Sequence, residues 1–200
     1  MDDDKLISLD VTTSIWENFY MVAPLIMVGT REEAGYNLAP KHMALPLGLG
    51  AYYGFISTPE HATYHNIKRE GFFTVSYPKA AQVVLASLSA LPRTGGKEGR
   101  KEIIDMLPTF KAELGDALFL KDAYLFLECR LDRIIDDFGK HSLIAGQILS
   151  VKVDADYLRV SEMDEQEMLQ KAPLPAYLHP SRFATIRQSV AFPFPRDFNR

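Results

Sequence analysis

Two imidazoles four residues apart, His61 and His65, would share one face of a helix, the spacing at which a zinc protease presents two metal ligands. Ala62 stands where that chemistry needs a glutamate base, and no third ligand accompanies the pair. The two therefore read as helix-surface or interface histidines, and no metal site is expected. Gly48-Leu-Gly50-Ala-Tyr-Tyr-Gly54 approaches a dinucleotide fingerprint, but its third glycine comes one residue late and the segment runs on as strand instead of opening a helix. No Gly-x-Ser-x-Gly elbow is present, and the Ser, His and Asp residues are too scattered for a triad. The lone cysteine, Cys129, excludes an internal disulfide or a cysteine metal cluster. It falls among the apolar odd positions of Ala123 to Leu131, which is the pattern of a packed core thiol on a strand.

The elements around these residues alternate between strand and helix signals. Pro24 to Thr30 reads as a first core strand, and Arg31 to Gly35 as a polar turn with glycine where positive φ is cheap. Beyond Tyr36 to Pro40, a second strand region runs from Leu45 to Ser57 and contains Gly48, Gly50 and Gly54, the kind of glycines that mark bulges or close approaches. Thr58-Pro59-Glu60 predicts a helix start with a hydroxyl N-cap, proline in the first position and an acid in the first turn; Gly71 stops that helix. A strand at 72–76, a helix from Lys79 to Leu91 and a glycine-rich surface loop from Arg93 to Arg100 follow. Helical spacing continues over 101–114, where Pro108 should kink or split it. Two long strands, 123–135 and 142–153, are joined by a turn at Asp136 to Lys140. Residues 173–200, rich in proline and aromatics, are expected to lie extended against a surface such as a dimer partner.

The 200 residues suit one domain that buries roughly 70% of its unfolded surface, with 47% apolar and 24% charged residues, as in ordinary globular chains. A net charge of −4 with scattered cations offers no field for nucleic acid. No apolar stretch approaches the roughly 20 residues of a membrane span, so no membrane partner is expected. The acidic opening Met1 to Lys5 is unlike a secretory signal, and a cytoplasmic location is expected.

The first strand, the glycine turn, Tyr36-Asn37-Leu38-Ala39-Pro40-Lys41-His42, the glycine-bearing strand and Thr63-Tyr-His-Asn66-Ile67 succeed one another in an order that resembles the flavin-reductase-like family. That family's pattern is a strand, a glycine turn, an Asn-x-Ala-Pro loop, a second strand and a helix bearing Thr-x-x-Asn-Ile. Gly71-Phe-Phe-Thr-Val-Ser76, Leu127-Glu-Cys129 and Gly139-Lys-His141-Ser-Leu-Ile-Ala-Gly146 are similar to its later strands and its Gly-x-His turn. The resemblance covers about residues 20 to 153, with a weaker echo in the tail.

The resemblance implies a mainly β fold, an antiparallel FMN-binding split barrel with peripheral α-helices, working as a homodimer. It implies that Asn37, Leu38, Ala39, Pro40, Lys41 and His42 line the flavin ring and ribityl chain, and that Phe55, Ile56 and Ser57 border the slot. Thr63, with Thr58 at the start of its helix, would serve the phosphate, and His141 would face the open side where a nicotinamide stacks. The family often carries a small hydroxyl residue at the place of His42 and an apolar or aromatic one at that of Lys41, so this pocket has extra bulk and a cation. The expected activity is hydride transfer from NADH or NADPH to bound FMN, which passes electrons to an acceptor. An FMN electron carrier fed by a protein donor is the alternative, and a flavin-binding interaction protein without turnover a third reading. Read without the family, Asn37 is a turn asparagine, Thr63 bonds its own helix, and His141 is a solvent-facing turn residue.

Overall fold

Strands β1 (Met21–Ala23) and β2 (Ile26–Glu32) open the regular structure of the computed structural model, which describes residues 5–94, 96, 99, 101–159 and 164–193. The chain reverses at Glu33-Ala34, with Gly35 at φ 111°, and returns as β3 (Gly35–Lys41), antiparallel to β2 along its whole length. The Asn-x-Ala-Pro segment, expected as a loop, is therefore a strand. It lies at the edge of its sheet, the place where Pro40, which has no N–H to give to a ladder, is tolerated.

The single strand expected over 45–57 is instead a hairpin, β4 (Ala44–Pro46) and β5 (Tyr52–Ser57), turned at Gly48 where φ is 83°. Helix α1 (Ala62–Glu70) begins later than predicted. The Thr58 hydroxyl accepts the Glu60 amide at 3.0 Å, closing a tight turn two residues on, and His61 occupies the N-cap position. Gly71, at φ 67°, ends α1, and β6 (Phe72–Tyr77) follows. The helix predicted over 79–91 is a 3-10 turn at Ala80–Gln82 followed by α2 (Val83–Leu88). Of the helix predicted over 101–114, only α3 (Ile103–Met106) forms; Pro108 stops it, and the short strands β7 (Thr109–Lys111) and β8 (Leu118–Leu120) take over.

The two long strands are β9 (Leu125–Phe138) and β10 (His141–Val153). Helix α4 (Glu165–Lys171) leads to β11 (Leu174–His179) and β12 (Arg182–Ile186), so the tail contributes a hairpin that pairs with β1. Phe194, Pro195 and Phe198 of the tail, and Gly95, Lys97, Glu98 and Arg100 of the glycine-rich loop, lie outside the described residues.

Seven strands form one curled antiparallel half-barrel in the order β3-β2-β6-β9-β10-β5-β4. Its two edge strands, β3 and β4, are consecutive in the chain with only His42 and Met43 between them, so the chain itself brings the edges together. Inside the curl, Ile26, Val28, Phe55, Phe73, Val75, Cys129 and Ile144 pack together, with Phe55 and Phe73 edge to face at 5.5 Å. Each such fully buried side chain stabilises the fold by about 1.5–3 kcal/mol. Burial pushes the Cys129 thiol up to about 12, as suits a packed and unreactive core sulfur. On the outer face, Met27 and Leu38 meet Ala86, Ile104, Leu118 and Leu120. Strand β8 lies so close to β2 that a Cβ at Gly29 would stand 1.9 Å from the Leu118 carbonyl oxygen.

Candidate functional site

Edge strand β3 and the first turn of α1 meet where Asn37, buried on the strand, donates its side-chain amide to the Thr63 hydroxyl at 3.0 Å. The Asn37 carbonyl in turn accepts from the Lys101 ammonium at 3.1 Å, and Lys101 also donates to the Leu38 carbonyl at 2.9 Å. These residues floor a hollow of about 540 Å³ that is walled by Ala39, Pro40, Lys41, His61 and Arg93. Thr63 accepts from Asn37, which leaves its own proton to donate. Helix α1 has nine residues and no acidic residue in its first turn, where the Tyr64 amide already donates to the His61 carbonyl at 3.0 Å.

The hollow is rich in cations. Arg93 is braced against both carboxylate oxygens of Glu32 and against the Gly99 carbonyl at 3.0 Å. Burial works against the Glu32 carboxylate, yet the hydrogen bonds and charge of Arg93, with a bond from Asn66, hold its carboxyl below the usual range. Lys41 reaches the Ser57 hydroxyl at 3.4 Å, and burial lowers its ammonium to about 8. Lys101 is lowered to about 8 by burial first and then by the Arg93 charge, against which Glu32 pulls the other way. Glu60 also lines the hollow, so two carboxylates, Glu32 and Glu60, stand among three cations, an arrangement left short of negative charge.

Pro40, Lys41 and Ala90 are shared with a second hollow of about 430 Å³, lined also by Leu25, His42, Tyr177 and Phe183. The C-terminal hairpin contributes the Tyr177 and Phe183 rings to it, along with Ser181 and Arg182. His42 packs on Tyr177 at 4.7 Å and stacks on His179 at 5.0 Å. Its Nε2 is buried without a hydrogen-bond partner, and burial, then His179 and Lys41, lower its tendency to protonate.

The site residues expected from the sequence divide accordingly. Asn37, Ala39, Pro40, Lys41 and Thr63 converge on the first hollow, and Pro40, Lys41 and His42 on the second. Leu38 contributes its carbonyl, while its side chain is buried in the outer core. Ser57 touches Lys41, and Thr58 is engaged in its own turn. Phe55 is fully buried inside the barrel, packed on Phe73, and lines none of the hollows described here. Ile56, partly buried, pairs with Leu143 of β10. His141 lies in a third hollow of about 390 Å³, on the other side of Glu60, with Tyr64, Asp136 and Ser142. Arg93 and Lys101 were not anticipated as site residues; the available signal was a glycine-rich loop bracketed by cations.

A cation-rich hollow with helix amides, opening onto an aromatic slot, matches the donor set that a nucleotide phosphate and a flat ring require. Comparison with known proteins agrees in fold. The chain of a flavoredoxin from Methanosarcina acetivorans superposes with a TM-score of 0.74 at 18% identity, covering 96% of this chain and 97% of that one. A flavoredoxin of Desulfovibrio vulgaris (Miyazaki F) gives 0.73 at 19% identity, with 95% and 99% covered. An FMN-binding protein from Thermus thermophilus, solved with 1-cyclohex-2-enone, gives 0.70 at 18% identity, with 94% and 98% covered. No curated protein matches the sequence significantly. Residues 19–186 match the model of the flavin reductase like domain, and the chain belongs to that family.

Proposed function

We propose that this chain is an FMN-binding oxidoreductase, with the phosphate in the hollow of Asn37, Thr63 and Lys101 and the ring in the adjoining slot beside Pro40, Lys41, His42 and Tyr177. The carrying observation is the Thr63–Asn37–Lys101 hydrogen-bond chain, which fixes a hydroxyl and an ammonium at the mouth of a helix N-terminus. FMN, when bound, supplies two-electron chemistry, which no side chain here can perform. The residues of this chain bind, orient and shield. Lys41, Lys101 and Arg93 neutralise the phosphate, and the first-turn amides of α1 add donors. Pro40 and Tyr177 offer flat apolar surface, and His141, across Glu60, provides an imidazole hydrogen-bond donor on the approach of a reduced nicotinamide, NADH or NADPH.

The protein works as a homodimer on this reading. Ile135, Phe138, Leu149 and Val151 on the long strands, with Val22 and Phe183 on the small sheet, expose apolar surface that a second copy would cover. We place it in the cytoplasm as a single domain: Cys129 is a core thiol that needs no oxidising compartment, and no described helix is long and apolar enough to cross a membrane. A carrier of electrons from a protein donor is the second reading, favoured by the fold similarity to two flavoredoxins.

The test is the visible spectrum of the purified protein, identification of the flavin released by heat, and anaerobic mixing of the loaded protein with NADH and NADPH. Released FMN that is bleached by either nicotinamide, and slowed by His141→Ala, supports the reductase. FMN that nicotinamide leaves oxidised supports the carrier. A colourless protein that fails to take up FMN overturns both.

A further inference from the structure

We propose that Asp136 is a positioning residue for His141, tying the β9–β10 turn to helix α1 so that the imidazole keeps one orientation beside the flavin site; the catalytic consequence rests on the role given to His141 above. One oxygen of Asp136 accepts the Ser142 hydroxyl at 2.6 Å and the Tyr64 hydroxyl at 3.2 Å, and its other oxygen lies 3.4 Å from Tyr64. Both donors stand on rigid elements. Ser142 is fully buried on β10, where it pairs with Ser57 of β5, and Tyr64 is buried on α1 directly after Thr63. The Ser142 bond is short, as hydroxyl bonds to a carboxylate are, and the Tyr64 contacts that reach α1 are longer. The carboxylate therefore pins a hairpin end, which would otherwise be free to sway, to the helix that enters the phosphate hollow.

The ladder supports the same assignment. Cα partners jump from His141↔Phe138 to Leu143↔Ile135, so Asp136 and Asp137 bulge out opposite Ser142, and Asp137 and Gly139 take positive φ of 73° and 63°. A bulge re-aims the side chains beside it and would leave their direction loosely set without a bond across it. Asp136 supplies that bond one residue from His141. Pro59, Glu60, Asp137, Gly139 and Lys140 complete the lining of the hollow.

The experiment compares Asp136→Ala, Asp136→Asn, Tyr64→Phe, Ser142→Ala and His141→Ala in the full chain. In apoprotein, the His141 ring resonances, assigned by their absence in His141→Ala, should shift and broaden in Asp136→Ala and return toward the parent position in Asp136→Asn, whose carbonyl still accepts both hydroxyls. In FMN-loaded protein, Asp136→Ala should slow flavin reduction by saturating nicotinamide about tenfold while the Kd for FMN stays within about twofold. The Asn variant should lie within about threefold of the parent, and Tyr64→Phe and Ser142→Ala should each lose about threefold. The two single-hydroxyl variants keep the test open if Asp136→Ala does not fold.

Unmoved His141 resonances in the Asp136, Tyr64 and Ser142 variants would overturn the proposal. So would a loss of FMN affinity in step with the rate, which would mark Asp136 as general scaffolding. If His141→Ala reduces as fast as the parent, the role given to His141 fails by itself, and the apoprotein resonances still decide whether Asp136 positions the ring.

Discussion

The side-chain amide of Asn37 donates to the Thr63 hydroxyl at 3.0 Å, joining the edge of the barrel to the first turn of α1. Both residues are almost fully buried, so the bond sets where the helix N-terminus points as well as satisfying two polar groups.

Replacing Thr63 by valine keeps the shape and removes the acceptor for Asn37 along with the hydroxyl offered to a phosphate. The expected result is a Kd for FMN about tenfold weaker and a Kd for riboflavin within about twofold, with about 1–2 kcal/mol of stability lost from the unpaired amide. Fluorescence-quenching titrations with both flavins, beside a urea melt, decide it. Equal losses for the two flavins would remove Thr63 from the phosphate role.

Lys101→Met retains the aliphatic stem and removes the charge that Asn37 and Leu38 share. FMN should bind at least about tenfold more weakly, since a charge-assisted bond contributes about 1.5–3 kcal/mol, and riboflavin should change little. Isothermal titration with FMN and riboflavin reads the difference directly, and undiminished FMN affinity would move the phosphate elsewhere.

Lys41 and Lys101 give two pH trends of opposite sign. Their folded values, about 8, lie below the ordinary 10.5, so between these limits the folded apoprotein holds fewer protons than the unfolded chain. The contribution of these two groups to stability therefore rises with pH from about 8 to about 10.5 and is flat below 8. FMN affinity should fall over the same window, as the ammonium groups that meet the phosphate lose their charge, and binding near pH 8 should take up protons. Melts and FMN titrations from pH 7 to 10 check both trends, and Lys101→Met should lessen each, leaving the share that Lys41 carries.

Gly29→Ala tests the close approach of β8 to β2. The added methyl would fall 1.9 Å from the Leu118 carbonyl and 2.3 Å from the Thr74 hydroxyl, and the first of these is backbone that cannot turn aside. A loss of about 3 kcal/mol and a fall in Tm on the order of 10 °C are expected by calorimetry.

Most of the β architecture was legible because strand periodicity is a local property: β2, β6, β9 and β10 lie close to where their apolar runs placed them. The start of α1 was misread because the Thr58 hydroxyl has two local uses, capping a helix or closing a turn, and the nearer amide won. Phe55 and Ile56 are neighbours on one strand with side chains on opposite faces, and the Phe55 side chain packs into the core. Arg93 and Lys101 escaped notice for a different reason. Lys101 is 64 residues from Asn37 in the chain, and only closure of the fold brings its ammonium under β3.

The excess of cations over carboxylates in that hollow makes it a trap for small oxyanions in general. Sulfate or inorganic phosphate in a purification buffer would compete with the nucleotide for Lys41, Arg93 and Lys101. A preparation that loses its yellow colour in such a medium would then be showing displacement by a rival, and exchange into a buffer without oxyanions before adding back FMN would recover the loaded form.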